Sequence, residues 1–179
     1  GDAYIPEGAA VPPVAETRFG VALERATQAA SKGKLFEQEV LVGGSFAARV
    51  SIVNFELWQI VLLLQSLRDL DEGLVQIGAG KSRGLGSVKI EAVRFVYEGR
   101  RGTRAISGVG ALADTETRAK YDLFHPDSVE ATGGAWIDAG LMSRCLLEGK
   151  VAAFALLDRL VSGPWESLLN SPRAKAKGN

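Results

Sequence analysis

The stretch that decides the fold is FEQEVLVGGSFAARVSIVNFELWQIVLLLQSL, residues 36–67. FEQEVLV (36–42) and SFAARVSIV (45–53) read as strands; in the second, Phe46, Ala48, Val50 and Ile52 share one face and Ala47, Arg49 and Ser51 the other. Gly43-Gly44 between them suits a tight hairpin, because glycine accepts positive φ. Asn54 then stands where a helix N-cap is expected, with Glu56 in the first turn. Leu57, Ile60, Val61, Leu64 and Leu67 recur at helical spacing, which predicts an amphipathic helix to about Leu70, ended by DLDEG.

Downstream, QIGAGKSRGLGSVKI (76–90) is a glycine-rich basic loop leading into a strand predicted over Val88–Tyr97. Its side-chain parity changes near Ala92, so a bulge is expected there. Strand, strand, helix, glycine loop, strand is the second half of a β-α-β-β-α-β unit. The predicted class is therefore α+β, a ferredoxin-like or RRM-like antiparallel sheet with a helix on one face. A half-unit leaves a sheet face and an edge uncovered, so other residues must complete it.

Upstream, residues 1–17 read as an extended lead-in rich in Pro, Gly and Ala. Residues 18–98 hold the half-unit, and residues 99–179 form an extension that is loop-rich over 99–135 and predicts a subunit-interaction region. Within it, KVAAFALLDRLV (150–161) predicts a short amphipathic helix stopped by Gly163-Pro164, and SPRAKAKGN is expected to be mobile.

The 179 residues suffice for one ordinary domain with an appendage, and the composition is that of an average soluble chain. No apolar run approaches the ~20 residues of a membrane span. A single cysteine, Cys145, excludes an internal disulfide framework and suits a reducing, cytoplasmic setting. The chain opens at Gly1 without a signal-like segment, which reads as the retained or ordered part of a longer chain. Net charge is zero, yet residues 73–104 carry seven basic and two acidic groups, a net +5. Positive charge gathered around a glycine loop points to a local polyanion site. A solvated basic strand would look the same.

Gly80-Lys81-Ser82 superficially resembles an ATP-binding P-loop. That motif needs glycine at position 75, where Val75 stands, and it follows a strand and opens a helix; here the order is reversed. The glycines fit another use. Gly78, Gly80, Gly84 and Gly86 let backbone N–H groups approach a bulky anion, while Lys81 and Arg83 supply charge. A plain flexible turn is the other reading of the same residues.

IGAGKSRGLGSVKI at the end of an apolar helix resembles the C-terminal glycine-rich signature of the RAMP superfamily, the repeat-associated mysterious proteins. A second segment, RFGVALERATQAASKGKLFEQEVLVGGSFAARVSI (18–52), is similar to the stretch of type III backbone subunits that leads into the hairpin. Leu23, Glu24, Arg25, Ala26, Thr27, Ala30, Gly33, Leu35, Phe36, Glu39, Val40, Gly44 and Phe46 occupy its pattern; Glu24 replaces the usual Asp, and Ala26-Thr27-Gln28 replaces Thr-Gly. The resemblance covers residues 18–97. It implies an RNA-binding CRISPR effector subunit of type III-like character, a ribonucleoprotein component of antiviral defence, whose copies stack along a guide RNA.

The resemblance further implies that Gly78, Gly80, Lys81, Ser82, Arg83, Gly84 and Gly86 lie against the guide backbone. Arg18 and Arg25 precede the hairpin, and Arg49 lies on the non-core face of its strand; all three are secondary candidates for guide or target RNA contact. Partners implied are guide RNA, target RNA and other RAMP subunits, with no membrane. Target-cleaving members carry an aspartate on an N-terminal loop that has no counterpart here, and Asp2 lies outside the match. No catalytic residue, metal or cofactor is therefore assigned, and target cleavage would need the missing half.

Two rival readings stay open. One is a guide-processing endoribonuclease of the same superfamily, which would need a general base; the sole histidine, His125, lies beyond the matched region. The other is a ferredoxin-like interaction module that binds no RNA. One His and one Cys do not furnish a metal site even with Asp122 and Asp127 nearby, and Cys145 reads as a small buried hydrophobe. Trp58 is expected in the core; for Trp136 and Trp165 packing is the default reading and stacking on bases the alternative.

Overall fold

The computed structural model describes residues 14–23, 30–124 and 127–170. The chain forms two compact units, residues 1–51 and 52–179. In the first, strand β1 (Val14–Leu23) pairs antiparallel with β2 (Ala30–Val42), in register from Val14 opposite Val42 to Val21 opposite Leu35. The register shifts between Val21 and Leu23.

The hairpin predicted between 36–42 and 45–53 is corrected here. β2 ends at Val42, Gly43 and Gly44 both take positive φ, and residues 45–53 form no strand. Phe46, Val50 and Val53 are left exposed. The partner of β2 is β1, drawn from what read as lead-in and basic segment. Alternation states that a segment could be a strand; it does not choose the neighbour, and β-propensity is realised only against a partner.

In the second unit, helix α1 (Leu57–Glu72) buries Leu57, Ile60, Val61 and Leu64, the stripe read from the sequence, with Leu67 packed at its margin. Each such burial stabilises by on the order of 2 kcal/mol. The helix is not capped by Asn54, whose φ of 53° is left-handed. The cap is Glu56: its own N–H donates to Gln59 Oε1 at 3.0 Å, and its carboxylate accepts from Phe124 N at 2.6 Å and from Trp58 Nε1 at 3.0 Å. The first helical N–H, that of Leu57, donates to Asp127 Oδ1 at 2.8 Å.

Strand β3 (Arg94–Arg100) pairs antiparallel with β7 (Met142–Glu148), which also pairs with β6 (Ala135–Ala139), giving the order β3-β7-β6. A second, two-stranded sheet joins β4 (Ala105–Ser107) and β5 (Ser128–Glu130). Short helices α2 (Val109–Leu112) and α3 (Thr115–Tyr121) lie between them. β3 begins at Arg94, not at Val88; the parity change at Ala92 marks its approach rather than a bulge.

Helix α4 (Lys150–Leu160) buries Ala153, Leu156, Leu157 and Leu160 against α1 and the β3-β7 face. Gly163-Pro164 does not stop the helical path. Residues Val161–Trp165 widen into a π turn that carries Pro164, and α5 (Glu166–Leu169) follows. The changed pitch accommodates a residue that has no N–H to donate.

The fold is mixed α+β with antiparallel sheets, consistent with a ferredoxin-like or RRM-like chain. Within the second unit, residues beyond 98 supply the partners of α1 and β3: β7 pairs with β3 and α4 packs on α1. Tyr97 is edge-on to Phe55 and to Trp136, linking helix entry to sheet. Trp136 and Trp165 both pack on this core, and Trp58 is half-buried. No helix among the described residues is long and apolar enough to cross a membrane.

Candidate nucleic-acid interface

The glycine loop starts where α1 ends. Gly73 adopts φ 79° and its N–H donates to Asp69 O and Leu70 O, the left-handed stop that glycine permits. Leu74 N–H then donates to Asp69 O at 2.9 Å. Two chain segments next come side by side: Gln76 Nε2 donates to Ser87 Oγ at 3.4 Å and Ile77 N–H donates to Gly86 O at 2.9 Å. Those contacts form a neck, and residues 78–85 form a lobe beyond it.

Within the lobe, Lys81–Arg83 make one 3₁₀ turn between two left-handed glycines, Gly80 (φ 75°) and Gly84 (φ 76°). Arg83 N–H donates to Gly80 O at 2.8 Å, Gly84 N–H to Lys81 O at 3.0 Å, and Leu85 N–H to Gly80 O at 3.3 Å. Gly86 is required twice over. Its φ is 89°, and a Cβ there would lie 2.0 Å from Ile77 O. A Cβ on Gly80 would meet Leu85 Cδ1 at 2.8 Å, so the side chain of Leu85 folds back under a bare backbone.

The base of the loop is fastened by Asp71, in the last turn of α1. Its carboxylate accepts from Ile90 N–H at 3.0 Å and from Lys150 Nζ at 3.0 Å, and Lys89 Nζ donates to its carbonyl. The Lys150 ammonium, then the Ile90 N–H, hold the Asp71 carboxyl below the usual carboxylate range. Sequence reasoning missed this anchor, since nothing in DLDEG distinguishes Asp71 from Asp69.

Gly78, Gly80, Lys81, Ser82, Arg83 and Gly84 are thus gathered into one small lobe with Gly86 at its neck, and Lys81, Ser82 and Arg83 are exposed at its tip. No acidic residue occurs between Gly73 and Glu91. Alternation of left-handed glycines with ordinary residues is the backbone pattern of anion-binding concavities. Arg18 lies on β1 opposite Gln38, with its guanidinium 3.7 Å from Glu16, and Arg49 is exposed in the irregular stretch 45–53. Both belong to the first unit, and the lobe belongs to the second. Arg25 lies outside the described residues, as does His125.

Of the seven cations of residues 73–104, Arg100 is exposed at the end of β3 and the other six fall into two groups. Arg94 pairs with Glu148, Arg101 donates to Gly140 O, and Arg104 makes a two-pronged pair with Asp138 at 3.0 Å while lying 5.7 Å above the Trp136 ring. Those arginines serve the β3-β7-β6 sheet. The charge at the lobe is Lys81 and Arg83, with Lys89 at its base. Cys145 is fully buried, and burial pushes its thiol upward. Among the described residues no group of His, Cys, Asp and Glu is arranged to hold a metal ion.

Residues 4–89, a little under half of the chain, match the family model described as the RAMP superfamily, and the lobe lies inside that match. No curated protein and no solved structure matches the chain.

Proposed function

We propose that this chain, a member of the RAMP superfamily over residues 4–89, is an RNA-binding subunit of a type III-like CRISPR effector and holds the backbone of the guide through its 78–86 lobe. The superfamily is associated with CRISPR systems in general. The observation that carries the reading is a closed, glycine-built lobe with Lys81 and Arg83 at its tip, lying within the matched segment. A backbone without Cβ atoms lets sugar and phosphate come close, and two cations give affinity without reading sequence. Ser82 adds a hydroxyl donor for a phosphate oxygen.

Arg18, Arg25 and Arg49 are secondary contacts to guide or target RNA in this reading. Residues 99–179 close the core and offer their outer surface to neighbouring subunits. The subunit acts by positioning RNA, and no residue of this chain is given a catalytic role. Ultraviolet cross-linking of the RNA-loaded assembly, with peptide mapping, tests the reading. The expected adducts fall within the peptide spanning Lys81–Lys89. Adducts confined to other segments would overturn it.

A further inference from the structure

One face of the β3-β7-β6 sheet packs in a common core with α4 and α1, and among the described residues of this unit the other face is open. Register places Val96, Leu146 and Ala135 in one row across that open face, with Ile137 in the adjoining row and Met142 in the row beyond it. Val96 is 44% exposed, Ile137 57% and Met142 44%. The aliphatic row is flanked on one side by Arg94 beside Glu148 and on the other by Glu98 beside Arg144. The charges therefore alternate along each strand and across each pair.

This pattern is self-complementary. A two-fold axis parallel to the sheet, lying above its open face and along the direction of the Val96–Leu146–Ala135 row, sets all three strands of one copy over the same strands of another. Arg94 of one copy then faces Glu98 of its partner, and Arg144 faces Glu148. Val96 meets Val96, and Leu146 meets Leu146. Such isologous pairing is the commonest way two identical chains associate.

We propose that the open face is an interface between two copies of this chain. RNA is the less suitable occupant. Sheet faces that take single-stranded RNA stack its bases on aromatic rings, and this face carries none; of its arginines, Arg94 and Arg144 lie beside carboxylates, while Arg100 sits beside Met142 at the far end of β3. The face is small, at the low end of specific interfaces, so the dimer is weak and its dissociation constant micromolar. The inference does not rest on the RNA-binding role of the lobe.

Sedimentation equilibrium of the full chain, without RNA, from low to several hundred micromolar, tests it. The mass is expected to rise from monomer to dimer. Glu98→Arg and Arg94→Glu alone each place like charges face to face and weaken dimerisation by about tenfold or more. Mixed in equal amounts, they restore it, because the introduced arginine at 98 of one chain meets the introduced glutamate at 94 of the other, and in the second half native Arg94 meets native Glu98. Val96→Lys at the centre abolishes it, with an unchanged melting temperature showing that each variant folds. A monomer throughout, single variants that dimerise normally, or a mixture that recovers nothing would each overturn the arrangement. So would loss of RNA binding in V96K without any change in mass.

Discussion

The Ile77 amide donates to the Gly86 carbonyl at 2.9 Å, and a Cβ on Gly86 would stand 2.0 Å from the Ile77 carbonyl oxygen. The neck of the lobe is thus held at a separation that glycine alone allows. Gly86→Ala should force the neck apart and lower stability by about 2 kcal/mol, adding steric contact to an unfavourable positive φ. Gly84→Ala has the same φ problem with nothing within 4 Å of the added Cβ, so about 1 kcal/mol is expected. Thermal melts of the two variants should rank them in that order, and equal losses would deny the neck its role.

Asp127 is fully buried, its two oxygens accepting from Leu57 N–H at 2.8 Å and Gly110 N–H at 3.1 Å. The start of α1 and the α2 turn are held by one carboxylate. Asp127→Ala leaves both donors without it inside the protein, at a cost of about 3 kcal/mol. Urea unfolding should show that loss with little change in slope. A loss under about 1 kcal/mol would mean that other acceptors serve these groups.

Acid should loosen the loop base. Asp71 and Asp138 both have carboxyls held below the usual range, Asp71 first by Lys150 and Asp138 first by Arg104, then by Ser143. A depressed folded-state pKa means that the unfolded chain binds more protons in the acid range. The stabilisation is therefore complete above the ordinary carboxylate pKa of about 4 and drains away as pH falls through the depressed values. Melting temperature measured from neutral to strongly acid pH should fall less steeply in Asp71→Asn and Asp138→Asn than in the parent, each variant starting from a lower neutral value. Parallel curves would contradict the assignment.

Cys145 sits on the core side of β7 with no exposed surface, and burial raises its thiol pKa. Thiolate is the reactive form, so a disulfide reagent should modify Cys145 only at the rate at which the unit opens. Stopped-flow labelling is expected to be slow in buffer and fast in urea. Rapid labelling of the native chain would place the thiol at the surface.

Helices were the legible part of this chain. The helices at 57–70 and 150–161 announce themselves because helical periodicity is local; the first buries Leu57, Ile60, Val61 and Leu64 of its expected stripe, and the second is present as α4. Strand partners were not legible. Residues 45–53 alternate well, but a ladder depends on which edge reaches which, and β2 took β1. Loop composition pointed to the glycines and cations of the lobe, whereas its fastening through Asp71, Ile90 and Lys150 spans residues too far apart for any pattern. Asp127 is the extreme case: an ordinary aspartate in sequence, a buried tie between two helix starts in space. Net charge misled in part, since Arg94, Arg101 and Arg104 are occupied by the sheet.

The measurement that bears most directly on the central claim is the salt dependence of single-stranded RNA binding by the parent chain and by the Lys81→Ala, Arg83→Ala double variant. Each cation that neutralises a phosphate contributes about 0.7 to the slope of log affinity against log salt. The account predicts weaker binding by the variant and a slope shallower by about 1.4, with the melting temperature unchanged. An identical slope in parent and variant would contradict it, because the lobe would then hold no phosphate.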